Sequence, residues 1–228
     1  MAYRPTVVFD LDGTLADSVH DLLSALNRTL ARHDLPQFAP QDFVELSPHG
    51  GVRGMLKHAF DTARVPLSEQ KHDFLFAETV RDYDDNIAVH TKLYPGVLPC
   101  LNTFEREGWI MAVCTNKPYR QARKLLHELD VAAKFSAITG GDSFTVKKPD
   151  PQHLIQTVDQ AGGRPERCVM VGDSKVDIQT AQRAKVPAIA LDFGYSNVPV
   201  QQLFPDAVVS HFEDVFERAI DVLKTKER

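Results

Sequence analysis

Five short apolar runs recur along the chain, each closed by a turn. They are Thr6–Phe9, Ile110–Cys114, Ala137–Thr139, Cys168–Val171 and Ala188–Leu191. Val and Ile are frequent in them, and apolar positions do not alternate strictly with polar ones. That pattern suits strands buried on both faces, as in a parallel sheet. Between them, Tyr119–Leu129 and Pro151–Ala161 carry the helical spacing expected of crossover segments. The succession predicts an α/β fold built on a doubly wound parallel sheet, Rossmann-like in its layering.

One segment breaks the alternation. Residues 17–89 carry helical pattern without a convincing strand. Val19, Leu22, Leu23, Leu26 and Leu30 step by three and four. So do Val52, Met55, Leu56 and Phe60, and then Phe76, Val80, Tyr83 and Ile87. An all-helical block directly after the first strand predicts an inserted domain over 17–89, within an α/β core of residues 1–16 and 90–228. Tyr94-Pro95-Gly96 marks the return. Extra helices packed on the sheet are the alternative.

Composition narrows the class. The chain has 228 residues, 43% of them hydrophobic, enough for one core and a smaller second one. A net charge of −5 gives no support for binding a nucleic acid polymer or an acidic membrane. Cys100, Cys114 and Cys168 lack disulfide-framework and metal-ligand spacing, and read as buried thiols in a reducing compartment. No window approaches a membrane span, and the N-terminal apolar stretch is too short for a signal peptide. A cytoplasmic protein is expected, as a monomer or homodimer.

The chemistry concentrates where apolar runs end. The first runs into Asp10-Leu11-Asp12-Gly13-Thr14. Side chains two apart on a strand face the same way, so both carboxylates can reach one site at the strand's C-terminal end. Two such charges need a compensating cation or open water. An EF-hand loop is excluded, because Leu15 stands where that loop needs Gly. A second run leads into Gly172-Asp173-Ser174-Lys175-Val176-Asp177, where Ser174 and Asp177 also fit a capping box. A third leads into Thr115-Asn116-Lys117-Pro118, a helix start offering free N–H groups and a hydroxyl to an anion. Lys147-Lys148-Pro149-Asp150-Pro151 opens another helix, with Asp150 as N-cap. Pro149 holds Lys148 extended, which could fix its ammonium toward the strand ends.

These four stretches, in this order, resemble the signature motifs of the haloacid dehalogenase-like hydrolases. They stand here as DLDGT, the Thr of VCT, the Lys of KKPDP, and GDSKVD. The resemblance covers essentially the whole chain and is strongest to the phosphoglycolate phosphatase group, whose helical cap sits where residues 17–89 lie. It implies that Asp10 attacks phosphorus to form an aspartyl-phosphate, and that Asp12 protonates the leaving alkoxide and later takes a proton from water. Neighbouring negative charge would favour a protonated Asp12. It implies Mg²⁺ held by Asp10, Asp173 and the Asp12 carbonyl, with Asp177 behind them. It further implies that Lys148 steadies the nucleophile and that Thr115 and Asn116 hold phosphoryl oxygens.

The acid at position 12 points away from dehalogenases, and Gly172 before Asp173 points away from the related sugar mutases, which tend to carry a Glu-Asp pair. The resemblance therefore implies a phosphatase of a small phosphorylated metabolite, first of all 2-phosphoglycolate. Nucleoside monophosphates, small sugar phosphates and pyrophosphate are alternatives. The cap segment Ser47–Arg53, with His49, Gly50, Gly51 and Arg53, would choose among them; a plain Gly-rich turn with a surface Arg is the other reading. A receiver-type signalling module also clusters acids, a Thr and a Lys, but it is about half this length and lacks the helical insert.

Overall fold

The computed structural model describes residues 4–46 and 51–226. Strand β1 (Thr6–Phe9) leads to β2 (Ala16–Asp17), and then α1 (Val19–Arg32), α2 (Phe43–Leu46), α3 (Gly51–Ala63) and α4 (Glu69–Asp85) follow without a strand. The return is β3 (Lys92–Leu93), followed by α5 (Val97–Arg106), β4 (Ile110–Cys114), α6 (Tyr119–Glu128) and β5 (Ala137–Thr139). Next come α7 (Pro151–Gln160), β6 (Cys168–Gly172), α8 (Lys175–Ala184), β7 (Ala188–Leu191), β8 (Ala207–Val209) and α9 (Val215–Lys226). The chain divides into two compact units, Met1–Asp17 with Lys92–Arg228, and Ser18–Thr91.

In the first unit six parallel strands lie in the order β5-β4-β1-β6-β7-β8. Phe9 of β1 stands opposite Val113 of β4 and Val171 of β6. Every residue of β1, β4 and β6 is buried, which is why their sequences are apolar without alternation. The Phe9 ring meets Phe104 and Phe135 edge-on at 5.8 and 6.5 Å and stacks on Phe212 at 6.0 Å. Val8, Ala112 and Met170 pack with Leu154, Val158 and Ile178 of α7 and α8. The chain fills one side of β1 with β4 and β5 and then crosses to the other with β6, β7 and β8, so β1 sits at the topological switch point, whose C-terminal end is where such sheets bind ligands.

Three strands escaped the sequence reading. β8 has only three residues, two of them half-buried. β2 and β3 have two residues each and pair antiparallel, Ala16 with Leu93 and Asp17 with Lys92. This ribbon joins the chain entering the helical unit to the chain leaving it.

The helical unit, Ser18–Thr91, packs α1 on α4. Leu23, Leu26 and Leu30 of α1, Met55, Leu56 and Phe60 of α3, and Leu75, Thr79 and Tyr83 of α4 are buried. On α4 Tyr83 is buried as expected, and so is Ile87 just past the helix end, but Phe76 and Val80 are only half-buried while Leu75 and Thr79 are buried beside them. The reason is Thr79, whose hydroxyl meets Leu75 O at 2.9 Å and Thr29 Oγ1 at 3.0 Å, so a polar residue sits where hydropathy looks for an apolar one. Asp21 accepts hydrogen bonds from His90 N, Thr91 N and Thr91 Oγ1 at 2.8–3.1 Å, clamping the two ends of this unit together. Residues 47–50 of the expected specificity segment, His49 and Gly50 among them, lie outside the described residues. Gly51 opens α3.

Candidate active site

The sheet delivers Asp10 to the crevice and then the chain turns back. Asp10 N still donates to Val171 O at 2.9 Å. Leu11 O then accepts from the N–H groups of Leu15 and Ala16, both at 3.0 Å. So the strand ends before the Asp pair, and strand alternation is not what orients Asp10 and Asp12. The turn needs Gly13: its φ is +84°, and a Cβ there would come within 2.5 Å of Asp173 Oδ2.

Asp10, Asp173 and Asp177 converge: one carboxylate oxygen from each lies within 4.8 Å of the other two, and all three residues are buried. Asp173 follows β6 and is held at both oxygens, Oδ1 by Thr14 Oγ1 at 2.8 Å and Oδ2 by Tyr195 N at 2.7 Å. Gly194 lies so close that a Cβ there would meet Asp173 Cβ at 2.2 Å. Asp177 opens α8 in the capping box read from the sequence, its Oδ2 accepting from Ser174 N at 3.1 Å. Its Oδ1 faces Lys148 Nζ at 2.6 Å, so structural and ionic duties coexist in one side chain. The same ammonium pairs with Asp10 Oδ1 at 2.8 Å, and its side chain is 2% exposed.

The other candidates of the first unit lie on the loops that follow β1 and β4. Asp12 turns its carboxylate to Lys117 Nζ, at 2.9 and 3.2 Å. Thr115 is buried and its hydroxyl accepts from Lys117 N at 3.2 Å. Asn116 Nδ2 donates to the Lys148 carbonyl at 3.0 Å. In the helical unit Arg53 pairs with Asp73 at 2.6 Å and lies over the Phe76 ring at 4.4 Å. Thr14, Lys117, Tyr195 and His153 were given no role by the sequence reading. Lys117 and Thr14 lay inside its motifs, whereas nothing in the sequence marks Tyr195.

The electrostatics are those of a site short of positive charge. Burial pushes the Asp10 carboxyl from 3.8 up to about 6, aided by the Asp177 charge and opposed by Lys148. Burial pushes Asp173 up to about 8, with the charges of Asp177 and Asp10 adding to it. For Lys148 burial works against the charge, but Asp10 and Asp177 outweigh it and raise the ammonium above its usual range. Fully ionised, these three buried carboxylates would outnumber the one buried ammonium by two charges, and that repulsion adds to burial in holding protons on Asp10 and Asp173. Asp10 Oδ1 is buried and makes no well-directed hydrogen bond. An all-oxygen donor set with that excess fits a hard divalent cation.

A pH test follows. Asp10 and Asp173 hold protons more tightly folded than unfolded, so the metal-free protein loses their stabilising contribution as pH rises from 3.8 through about 6 and about 8. Lys148 stays charged throughout that window. The Tm of metal-free protein is expected to fall by several degrees from about pH 5 to about pH 8.5, less so in Asp173→Asn. A Tm flat or rising over this range would contradict the charge excess.

A family model described as haloacid dehalogenase-like hydrolase matches residues 7–191. A phosphoglycolate phosphatase of Mesorhizobium japonicum is 42% identical over 210 residues, 92% of each chain. One of Agrobacterium fabrum is 38% identical over 222 residues, covering 97% of this chain and 95% of its own. The crystal structure of a predicted phosphoglycolate phosphatase from Haemophilus somnus 129PT superposes with a TM-score of 0.89 at 29% identity, covering 96% of this chain and 99% of that one.

Proposed function

The chain belongs to the haloacid dehalogenase-like hydrolases, and from that premise we propose that it is a Mg²⁺-dependent phosphatase of 2-phosphoglycolate. The observation that carries the reading is the charge excess: three buried carboxylates converge beside one buried lysine at the switch point of the sheet. The substrate is proposed from the relatives, which bear that name at up to 42% identity over nearly their whole length.

Asp10 is the nucleophile. Lys148 lies against it at 2.8 Å and offsets its charge as the phosphoryl group approaches. Thr115 already accepts a bond from Lys117 N, which leaves its own O–H for a phosphoryl oxygen. Attack by Asp10 gives an aspartyl-phosphate while the P–O bond to the leaving group breaks. Asp12 gives that alkoxide a proton, then takes one from the water that hydrolyses the intermediate. Asp12 pairs with Lys117 Nζ at 2.9 Å and must exchange that ion pair for a proton before it acts as the acid. Asp10, Asp173 and the Asp12 carbonyl would hold Mg²⁺. Asp177 would stand behind these ligands, its Oδ2 closing the capping box with Ser174 and its Oδ1 facing Lys148. When bound, the ion supplies the missing positive charge and polarises the phosphoryl group.

Arg53 is given no substrate contact, because Asp73 and Phe76 engage it within the helical unit. A cytoplasmic setting is consistent with three buried free cysteines, and no described helix is long and apolar enough to cross a membrane. The test is a panel of phosphorylated metabolites assayed with Mg²⁺ and with EDTA. 2-Phosphoglycolate should give the highest kcat/KM, and EDTA should abolish turnover. A higher kcat/KM for a nucleoside monophosphate, a sugar phosphate or pyrophosphate would overturn the substrate assignment.

A further inference from the structure

Lys148 lies between β5 and α7, in a stretch with no helix or strand to pair its peptide groups. Side chains do so instead. Its N–H donates to His153 Nδ1 at 3.1 Å, and its carbonyl accepts from Asn116 Nδ2 at 3.0 Å. The two partners come from different elements: Asn116 follows β4 directly after Thr115, and His153 lies in the first turn of α7. We infer that Asn116 and His153 are positioning residues that fix the main chain of Lys148, so that its ammonium falls between Asp10 and Asp177. This rests on the phosphatase reading, in which Lys148 steadies the nucleophile.

His153 is built for such a role. It is fully buried, its ring meets Phe144 edge-on at 5.7 Å, and its carbonyl accepts from Thr157 Oγ1 at 2.7 Å. Nδ1 is the acceptor, so a neutral ring carries its proton on Nε2. The next residue along the held segment is anchored too, Pro149 O accepting from Arg183 Nη1 at 3.0 Å. A long side chain leaving a backbone held on both polar groups reaches its targets with little freedom. The contacts at 2.6 and 2.8 Å that Lys148 makes tolerate little displacement. Asn116 thereby acquires a duty beyond holding phosphoryl oxygens, one of its two amide N–H groups going to the Lys148 carbonyl.

The test is a double-mutant cycle against Lys148→Met, with turnover of an aryl phosphate measured at saturating Mg²⁺ and thermal unfolding as the folding control. Asn116→Ala and His153→Ala should each lower kcat about tenfold or more while KM changes less than about twofold. His153→Asn, whose Oδ1 stands in for Nδ1, should recover most of the loss. In the Lys148→Met background both losses should disappear, because the residue they act through no longer reaches the site. Losses that persist undiminished there, or an Asn no better than Ala at 153, overturn the inference. Lys148→Met with wild-type turnover overturns the reading of Lys148 itself, and the inference with it. Should His153→Ala fail to fold, Asn116→Ala decides alone, being at an exposed position.

Discussion

Asp10→Asn is expected to lower kcat for every phosphomonoester by about 10⁴-fold or more, without loss of the fold. Asn keeps the size and planarity of the side chain but cannot form the acyl phosphate. The structural cost is small because Asp10 stands in an environment that resists its charge. Burial and Asp177 already push its carboxyl up to about 6. Removing the charge relieves repulsion with Asp177, while Lys148 keeps its 2.6 Å partner there. Tm should therefore stay level or rise in metal-free protein. The check is aryl phosphate turnover beside thermal unfolding of the same preparation. Wild-type-like turnover would overturn the nucleophile assignment, and a lost unfolding transition would show that the carboxylate serves structure first.

Asp173→Asn is the second large effect. Both oxygens of Asp173 accept hydrogen bonds, from Thr14 Oγ1 and from Tyr195 N. An amide fits the same place if its oxygen faces Tyr195 N–H and its NH₂ faces Thr14, whose hydroxyl can turn to accept. The variant should therefore fold, and its Tm in metal-free protein should rise at alkaline pH, where the native carboxylate is ionised against its surroundings. What it loses is one negative oxygen donor. Half-saturation by Mg²⁺ should shift upward at least about tenfold and kcat fall about a hundredfold, the scale seen when groups supporting a metal are removed. Calorimetric titration with Mg²⁺ reads the affinity apart from activity. Unchanged affinity would remove Asp173 from the ligand set.

Why some of this was readable and some not comes down to distance along the chain. β1, β4 and β6 are wholly buried, so four or five consecutive apolar residues announce them. The start of α7 is local: Asp150 Oδ1 accepts from Gln152 N at 2.9 Å, with Pro151 at the first turn. The Ser174–Asp177 box is equally local, and the sequence already allowed Asp177 both duties. The strands β2, β3 and β8 are too short to leave a periodic trace, and only their distant partners make them strands. Lys117 reads as an ordinary surface lysine until the fold brings Asp12, 105 positions away, to 2.9 Å. Tyr195 and Thr14 reach Asp173 from 22 and 159 positions away. His153 sits on an amphipathic helix, where its acceptor nitrogen meets Lys148 only because the intervening segment folds back.

The pair Asp10 and Asp12 shows the same limit from the other side. Their spacing correctly brought two acids to the end of one strand, but the strand stops at Phe9 and the tight turn after it sets each direction separately. Asp10 goes to Lys148 and Asp12 to Lys117. One carboxylate joins the buried cluster and the other stands apart from it, a separation that alternation along a strand would not produce.

The most direct measurement is anomalous diffraction from crystals of the wild-type protein grown with Mn²⁺ in place of Mg²⁺. A single strong peak in contact with carboxylate oxygens of both Asp10 and Asp173, with Lys148 Nζ still beside Asp10, is the predicted result. A fully occupied Mn²⁺ elsewhere, or a crevice empty of ion at saturating concentration, would contradict it.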